Sequence, residues 1–158
     1  MSIEKATAHL EKIGYADRIM VFETSSATVD LAAAAVGCEP ERIAKTLSFD
    51  VNGETVLIVC AGDCRIDNPK YKAQFHTKAK MLAFEEAEPR IGHAVGGVCP
   101  FAVKEGVKVY LDVSMKRFET VYPAAGSSNS AIEMTMEELE RYSGAADWID
   151  VCKGWQAE

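Results

Sequence analysis

The stretch 45-KTLSFDVNGETVLIVCAG-62 decides how this chain folds. Two runs rich in β-branched and aromatic residues flank Asn52-Gly53. That dipeptide favours a two-residue turn with positive φ at both central positions, so the spacing predicts a β-hairpin. Leu47, Phe49 and Val51 alternate onto one face of the first strand. Lys45 stands at its start, directly after the apolar pair in "RIA".

Outward from the hairpin the pattern is irregular. Upstream, "RIMVFET" (18–24) reads as a strand and "SSAT" supplies capping hydroxyls. "VDLAAAAVG" reads as a small-residue helix closed by Gly37, and "EPERIA" as a short turn opened by Pro40. Before these, Ile3, Ala6, Leu10 and Ile13 recur at helical spacing and predict an amphipathic first helix over 2–13.

Downstream, "DNPKYKAQF" is a helix capped by Asp67 or Asn68. "AKMLAF" (79–84) reads as a short strand, and "EEAEPRI" as a helix with Pro89 in or near its first turn. Strands are expected at 107–113 and 118–124, and again in "DWIDVC". "TMEELERYSG" carries a capping box, with Thr135 and Glu138 three apart. Strands are not separated by regular long helices, which disfavours a doubly wound parallel sheet. The expected class is α+β: a mixed β-sheet curled toward a barrel with flanking helices, one domain over residues 1–158.

The totals set bounds. The chain has 158 residues, 48 % apolar and 26 % charged, with a net charge of −7. Such a composition buries a core without disulfides. No apolar run approaches the ~20 residues that span a bilayer, and the charged N-terminus does not read as a signal peptide. A cytoplasmic protein with no membrane partner is expected. The five cysteines are odd in number and scattered, so they read as reduced, mostly buried thiols. An acidic chain has little general affinity for nucleic acid. Residues 65–80, however, hold Arg65, Lys70, Lys72, Lys78 and Lys80 against Asp67 alone, which either solvate a helix or grip a polyanion locally.

Familiar catalytic signatures are missing: no P-loop, no dinucleotide fingerprint and no nucleophile elbow. Cys60 and Cys64 are four apart, but zinc would need two more ligands at matching spacing. No metal and no cofactor are expected. Two features remain. "GHAVGGVCPF" (92–101) puts three glycines and a proline in ten residues, which is either a tight turn or backbone meant to touch a ligand. Lys45 stands near Thr46 and Ser48, and a fixed ammonium beside bare backbone N–H groups makes an anion or carbonyl site. "AGSSNSA" (125–131) offers hydroxyls and an amide that matter if they face Lys45.

These residues together resemble the YbaK family, free-standing relatives of the editing domain inserted in bacterial prolyl-tRNA synthetase. The resemblance rests on Lys45-Thr46-Leu47 after a helical turn, the hairpin, Gly96-x-x-x-Pro100, and "DVSMKRFETVYPAAGSSNSAIEMTMEEL", and covers roughly residues 15–143. It implies trans-editing, the hydrolysis of the ester of a mischarged tRNA of the proline class. Lys45 matches the family's functional lysine, which engages the substrate's 3′ end. Gly96 to Pro100 matches the glycine–proline loop that shapes the aminoacyl pocket.

By that implication Lys45 and the backbone of Gly96, Gly97 and Val98 carry the chemistry. Phe22, Thr28, Thr46, Pro100, Ser127, Ser128 and Asn129, with Ser25 nearby, line the substrate pocket. Arg65, Lys70, Lys72, Lys78 and Lys80 touch tRNA. The implied partners are the acceptor end of aminoacyl-tRNA and an aminoacyl-tRNA synthetase. The family's acidic position near "SAIE" is taken by Ala131, with Glu133 close by.

An aminoacyl ester is already activated, so it needs positioning and oxyanion stabilisation rather than a protein nucleophile. Water, the terminal ribose hydroxyl and the substrate's own side chain are all possible attacking groups. Two other readings compete. One is a binding module of the same fold that docks on tRNA or a synthetase without catalysis. The other is a thiol enzyme using Cys99 and His93.

Overall fold

The computed structural model describes residues 8, 11, 18–22, 28–93, 98–101, 103–125 and 129–154. Of the expected first helix only residues 8 and 11 are described, and Ser25, Gly96, Gly97, Ser127 and Ser128 lie outside the described residues.

The hairpin forms as its sequence dictates. Strand β2 (Ile43–Val51) pairs antiparallel with β3 (Glu54–Ala61), setting Lys45 opposite Cys60 and Phe49 opposite Val56. Asn52 and Gly53 take φ of 53° and 91°, which is the left-handed pair the dipeptide favours. The Asp50 carboxylate closes the turn by accepting the Gly53 N–H at 2.8 Å.

Both edges of the hairpin are then filled. β5 (Lys108–Asp112) runs parallel to β3, and β9 (Asp147–Ile149) parallel to β5. β6 (Thr120–Pro123) lies parallel to β2, with β8 (Met134–Thr135) antiparallel beyond it. The sheet order is β8-β6-β2-β3-β5-β9, a mixed half-barrel of α+β class. β3 is central, and Leu57 to Ala61 are fully inaccessible. A strand covered on both faces reads as an unbroken apolar run, as "LIVCA" does.

Two short ribbons flank the sheet: β1 (Ile19–Val21) with β7 (Ser130–Ile132), and β4 (Arg65–Ile66) with β10 (Cys152–Lys153). Among the described residues four α-helices accompany the sheet. α1 (Val29–Val36) is capped by Thr28, whose Oγ1 accepts the Leu31 N–H. α2 (Asn68–Phe75) is capped by Asp67, so the aspartate and not Asn68 serves. Its Tyr71 is fully buried, with ring centroids 5.2 Å from Phe49 and 4.8 Å from Phe75. α4 (Met136–Ser143) has the expected capping box of Thr135 and Glu138. No helix among the described residues is long and apolar enough to cross a membrane.

Three expectations need correction. The strand over 79–84 reduces to a single antiparallel bridge, Phe49 to Met81, because the segment meets the edge of β2 at that one point. Two bonds fix it there: Asp50 N–H to Lys80 O at 2.8 Å and Leu82 N–H to Ser48 O at 3.1 Å. Pro89 sits late in α3 (Phe84–Ile91), not in its first turn. "DWIDVC" splits into β9 and β10. Between them Val151 donates to the Asp112 carboxylate and accepts from Asp67 N–H, which turns the chain out of the sheet.

Candidate active site

A cavity of about 360 Å³ opens beside the start of β2. That is the lower end of the range for small-ligand sites. Its floor is β2 from Ile43 to Ser48, so Lys45 and Thr46 lie in it by position. The cap and first turn of α1 supply Thr28, Val29 and Ala32. Met81 and Leu82 form one side, while Tyr122, Ala124, Ser130 and Ala131 come from the far end of the chain. Val98 completes the wall, which brings the end of the glycine loop to the same space as Lys45.

Gly62 explains how α1 comes so close. A Cβ there would lie 2.1 Å from the Pro40 carbonyl oxygen and 2.8 Å from Val29 Cγ1. Only a bare α-carbon lets the helix and the turn before β2 settle on the end of β3.

Lys45 is half-buried, and its ammonium donates to the Cys64 carbonyl oxygen. It is the one charged side chain in the described lining. Thr46 Oγ1 is buried and has no hydrogen-bond partner among the described residues. A hydroxyl left so at a cavity wall is costly unless something else satisfies it. The described lining holds no histidine, cysteine or carboxylate, so its hydroxyls have no adjacent base.

The glycine loop has a fixed base. His93 is fully buried, and its Nε2–H donates to the Phe101 carbonyl at 2.6 Å, bridging the loop from end to end. Lys104 N–H to Ile91 O, at 2.9 Å, adds a second tie. Cys99 Sγ lies 3.6 Å from the same His93 nitrogen, whose proton is already engaged. Complete burial pushes the Cys99 thiol up to about 12. A Cys99–His93 nucleophile is therefore poorly made: the ring nitrogen nearest the sulfur is already bonded to the Phe101 carbonyl, and burial keeps the thiol protonated near neutrality.

Three expected pocket residues do not line the cavity: Phe22, Pro100 and Asn129. Phe22 and Asn129 are tied to each other, by Phe22 N–H to Asn129 O at 2.7 Å and Asn129 Nδ2 to Phe22 O at 2.9 Å. Pro100 is buried. Ala131 is on the wall, so no carboxylate stands there. Glu133 instead turns to a neighbouring hollow, where it accepts from Thr120 and Tyr122 hydroxyls, each at 2.9 Å. Of the basic stretch, Lys70 is committed to Asp150 at 3.0 Å and to the Cys152 carbonyl at 3.1 Å. Arg65, Lys72, Lys78 and Lys80 are exposed.

The site's elements lie within a family match. The model of the aminoacyl-tRNA editing domain matches residues 23–142. This chain belongs to the aminoacyl-tRNA editing domain family. The uncharacterized protein YwhH of Bacillus subtilis (strain 168) is 50 % identical over 99 % of this chain and 100 % of that protein. A proline--tRNA ligase of Lysinibacillus sphaericus (strain C3-41) is 27 % identical over 94 % of this chain, which spans only 24 % of the ligase. Among solved structures, a proposed trans-editing enzyme for prolyl tRNA synthetase superposes with a TM-score of 0.86 at 27 % identity, covering 97 % of this chain and 98 % of that one. The resemblance read from Lys45-Thr46-Leu47, the hairpin and the C-terminal segment is thus to the right family, and the mixed half-barrel is that family's fold.

Proposed function

We propose that this editing domain is a trans-acting aminoacyl-tRNA deacylase. It hydrolyses the ester of a mischarged tRNA of the proline class, in the cytoplasm where tRNA is charged. One observation carries the reading: Lys45 and Val98, far apart in sequence, border one cavity with room for a small amino acid.

In this reading the Lys45 ammonium holds the terminal nucleotide, exchanging the Cys64 carbonyl for a substrate oxygen. Thr46 Oγ1 supplies a hydrogen bond to the aminoacyl group. The alanine-rich wall of Ala32, Ala44, Ala124 and Ala131 admits a small, uncharged side chain. The N–H groups of Gly96, Gly97 and Val98 serve as oxyanion donors, worth about 3 kcal/mol each when well placed. Pro100 stiffens the loop's exit. With no nucleophile–base pair in the described lining, the attack is by water or the terminal ribose hydroxyl. Positioning supplies the larger share, up to roughly 7–11 kcal/mol at its ideal limit. Arg65, Lys72, Lys78 and Lys80 are the tRNA-facing charges of this proposal, and a synthetase is the natural partner.

The test is a panel of mischarged tRNAs, including alanyl-, cysteinyl-, seryl- and threonyl-tRNA. Wild type should deacylate at least one. Lys45→Ala should lower that rate by roughly a hundredfold, the scale of losing one charge-stabilising donor, with an unchanged thermal melt. No turnover of any member by wild type would leave a tRNA- or synthetase-binding module in its place.

A further inference from the structure

Three cysteines that the deacylase reading does not use converge behind Lys45. Cys60 is the next-to-last residue of β3, Cys64 lies in the turn before β4, and Cys152 is in β10. All three are buried, at 0 %, 2 % and 0 % exposure. Their sulfur atoms all lie within 4.8 Å of one another. The sequence places Cys152 far from the other two, and only the β4–β10 ribbon, which pairs Cys152 with Ile66, brings it in.

The surroundings hold this cluster in place. Asp112 is a fully buried carboxylate whose two oxygens accept Ser114 N–H and Val151 N–H, each at 2.9 Å. It thereby pins the residue before Cys152 and the serine whose Oγ is 3.6 Å from Cys64 Sγ. Cys64 Sγ also lies 2.9 Å from the Ala61 carbonyl oxygen, to which the thiol proton is donated in the metal-free protein.

We propose that Cys60, Cys64 and Cys152 form a buried three-sulfur site for a soft, closed-shell metal ion, monovalent copper in particular. Sulfur-only ligation selects soft ions. Three sulfurs at about 2.3 Å from an ion stand roughly 3.8–4.0 Å apart, so the cluster needs to contract by less than about an ångström. Among the described residues no fourth histidine, cysteine or carboxylate joins the group. Closed structural zinc sites take four ligands, and this site offers three. Closing all three bonds releases up to three thiol protons to water. The three thiolates and one monovalent ion leave two negative charges, which the nearby Lys45 ammonium partly offsets.

The test uses reduced protein under nitrogen, titrated with Cu(I) against a competing chelator and, separately, with Zn(II). One Cu(I) per chain should bind and raise Tm, and Zn(II) should bind at least roughly a hundredfold more weakly. Cys60→Ser, Cys64→Ser and Cys152→Ser should each abolish uptake, while a Cys38→Ser, Cys99→Ser double variant should keep it. X-ray absorption on copper-loaded wild type, which does not depend on any variant folding, should read three Cu–S bonds. Two-coordinate copper, uptake that persists in Cys152→Ser, uptake that scales with total thiols, or zinc binding as tight as copper would each overturn the assignment.

Discussion

Thr46 carries a cost that its surroundings do not offset. Its buried hydroxyl finds no partner among the described residues, and such a group destabilises by about 1–3 kcal/mol. If substrate satisfies it, Thr46→Val should raise Tm and yet lower kcat/KM for deacylation by about tenfold, the size of one ordinary hydrogen bond. A variant that is less stable, or equally active, would remove Thr46 from the site. Cys99 gives the opposite case. With its thiol pushed up to about 12 by burial, it should resist alkylation at pH 8 in the native protein, as mass spectrometry would read, and treatment should leave deacylation intact. Loss of activity that tracks Cys99 modification would revive the thiol enzyme.

Much of this residue-scale detail was legible in the chain. Lys45 and Thr46 stand out because polar groups open an apolar strand. His93 was visible only as a candidate base. Its work of closing the glycine loop through the Phe101 carbonyl depends on a backbone oxygen, which no side-chain pattern reveals. Lys70 looked like a free cation until the fold set Asp150 beside it.

Elements with local causes were the easiest to read. Asn52-Gly53 fixes the hairpin and Thr135 with Glu138 starts α4, because turn and cap chemistry act over a few residues. What tertiary contact decides was not legible. Residues 79–84 have strand composition but join β2 through one bridge only, and "DWIDVC" is broken by the hydrogen bonds of Val151. Gly62 belongs to this scale. Nothing in "CAG" announces that α1 and the Pro40 turn rest on its bare α-carbon. Gly62→Ala should cost about 2 kcal/mol or more, the upper part of the range for overpacking, because the clashing atom is a backbone oxygen that cannot swing away. Denaturant melts would measure it. Deacylation should fall as well, since α1 carries Thr28 and Val29 into the cavity. Unchanged stability would mean that α1 is free to shift.

At the scale of the whole molecule the net charge of −7 sets the terms with tRNA. Few cations face outward from the basic stretch once Lys70 is paired, so few phosphates can be neutralised. The logarithm of tRNA affinity should fall with the logarithm of salt at a slope shallower than about −3, equivalent to roughly four single-strand phosphates. A steeper slope would require a basic surface elsewhere. The composition announced an acidic protein with one basic stretch, but not which of its lysines stay exposed.

The order of strands also bears on how the protein is made. β2 and β3 emerge together and can pair at once, whereas the neighbours on both sides of that hairpin, β5 and β6, are encoded well after it. A nascent chain that has passed its middle on the ribosome therefore carries two open sheet margins rich in valine and isoleucine. Cellular yield should consequently depend on how quickly translation delivers the second half, and pauses placed just after the hairpin should favour clumping of unfinished chains.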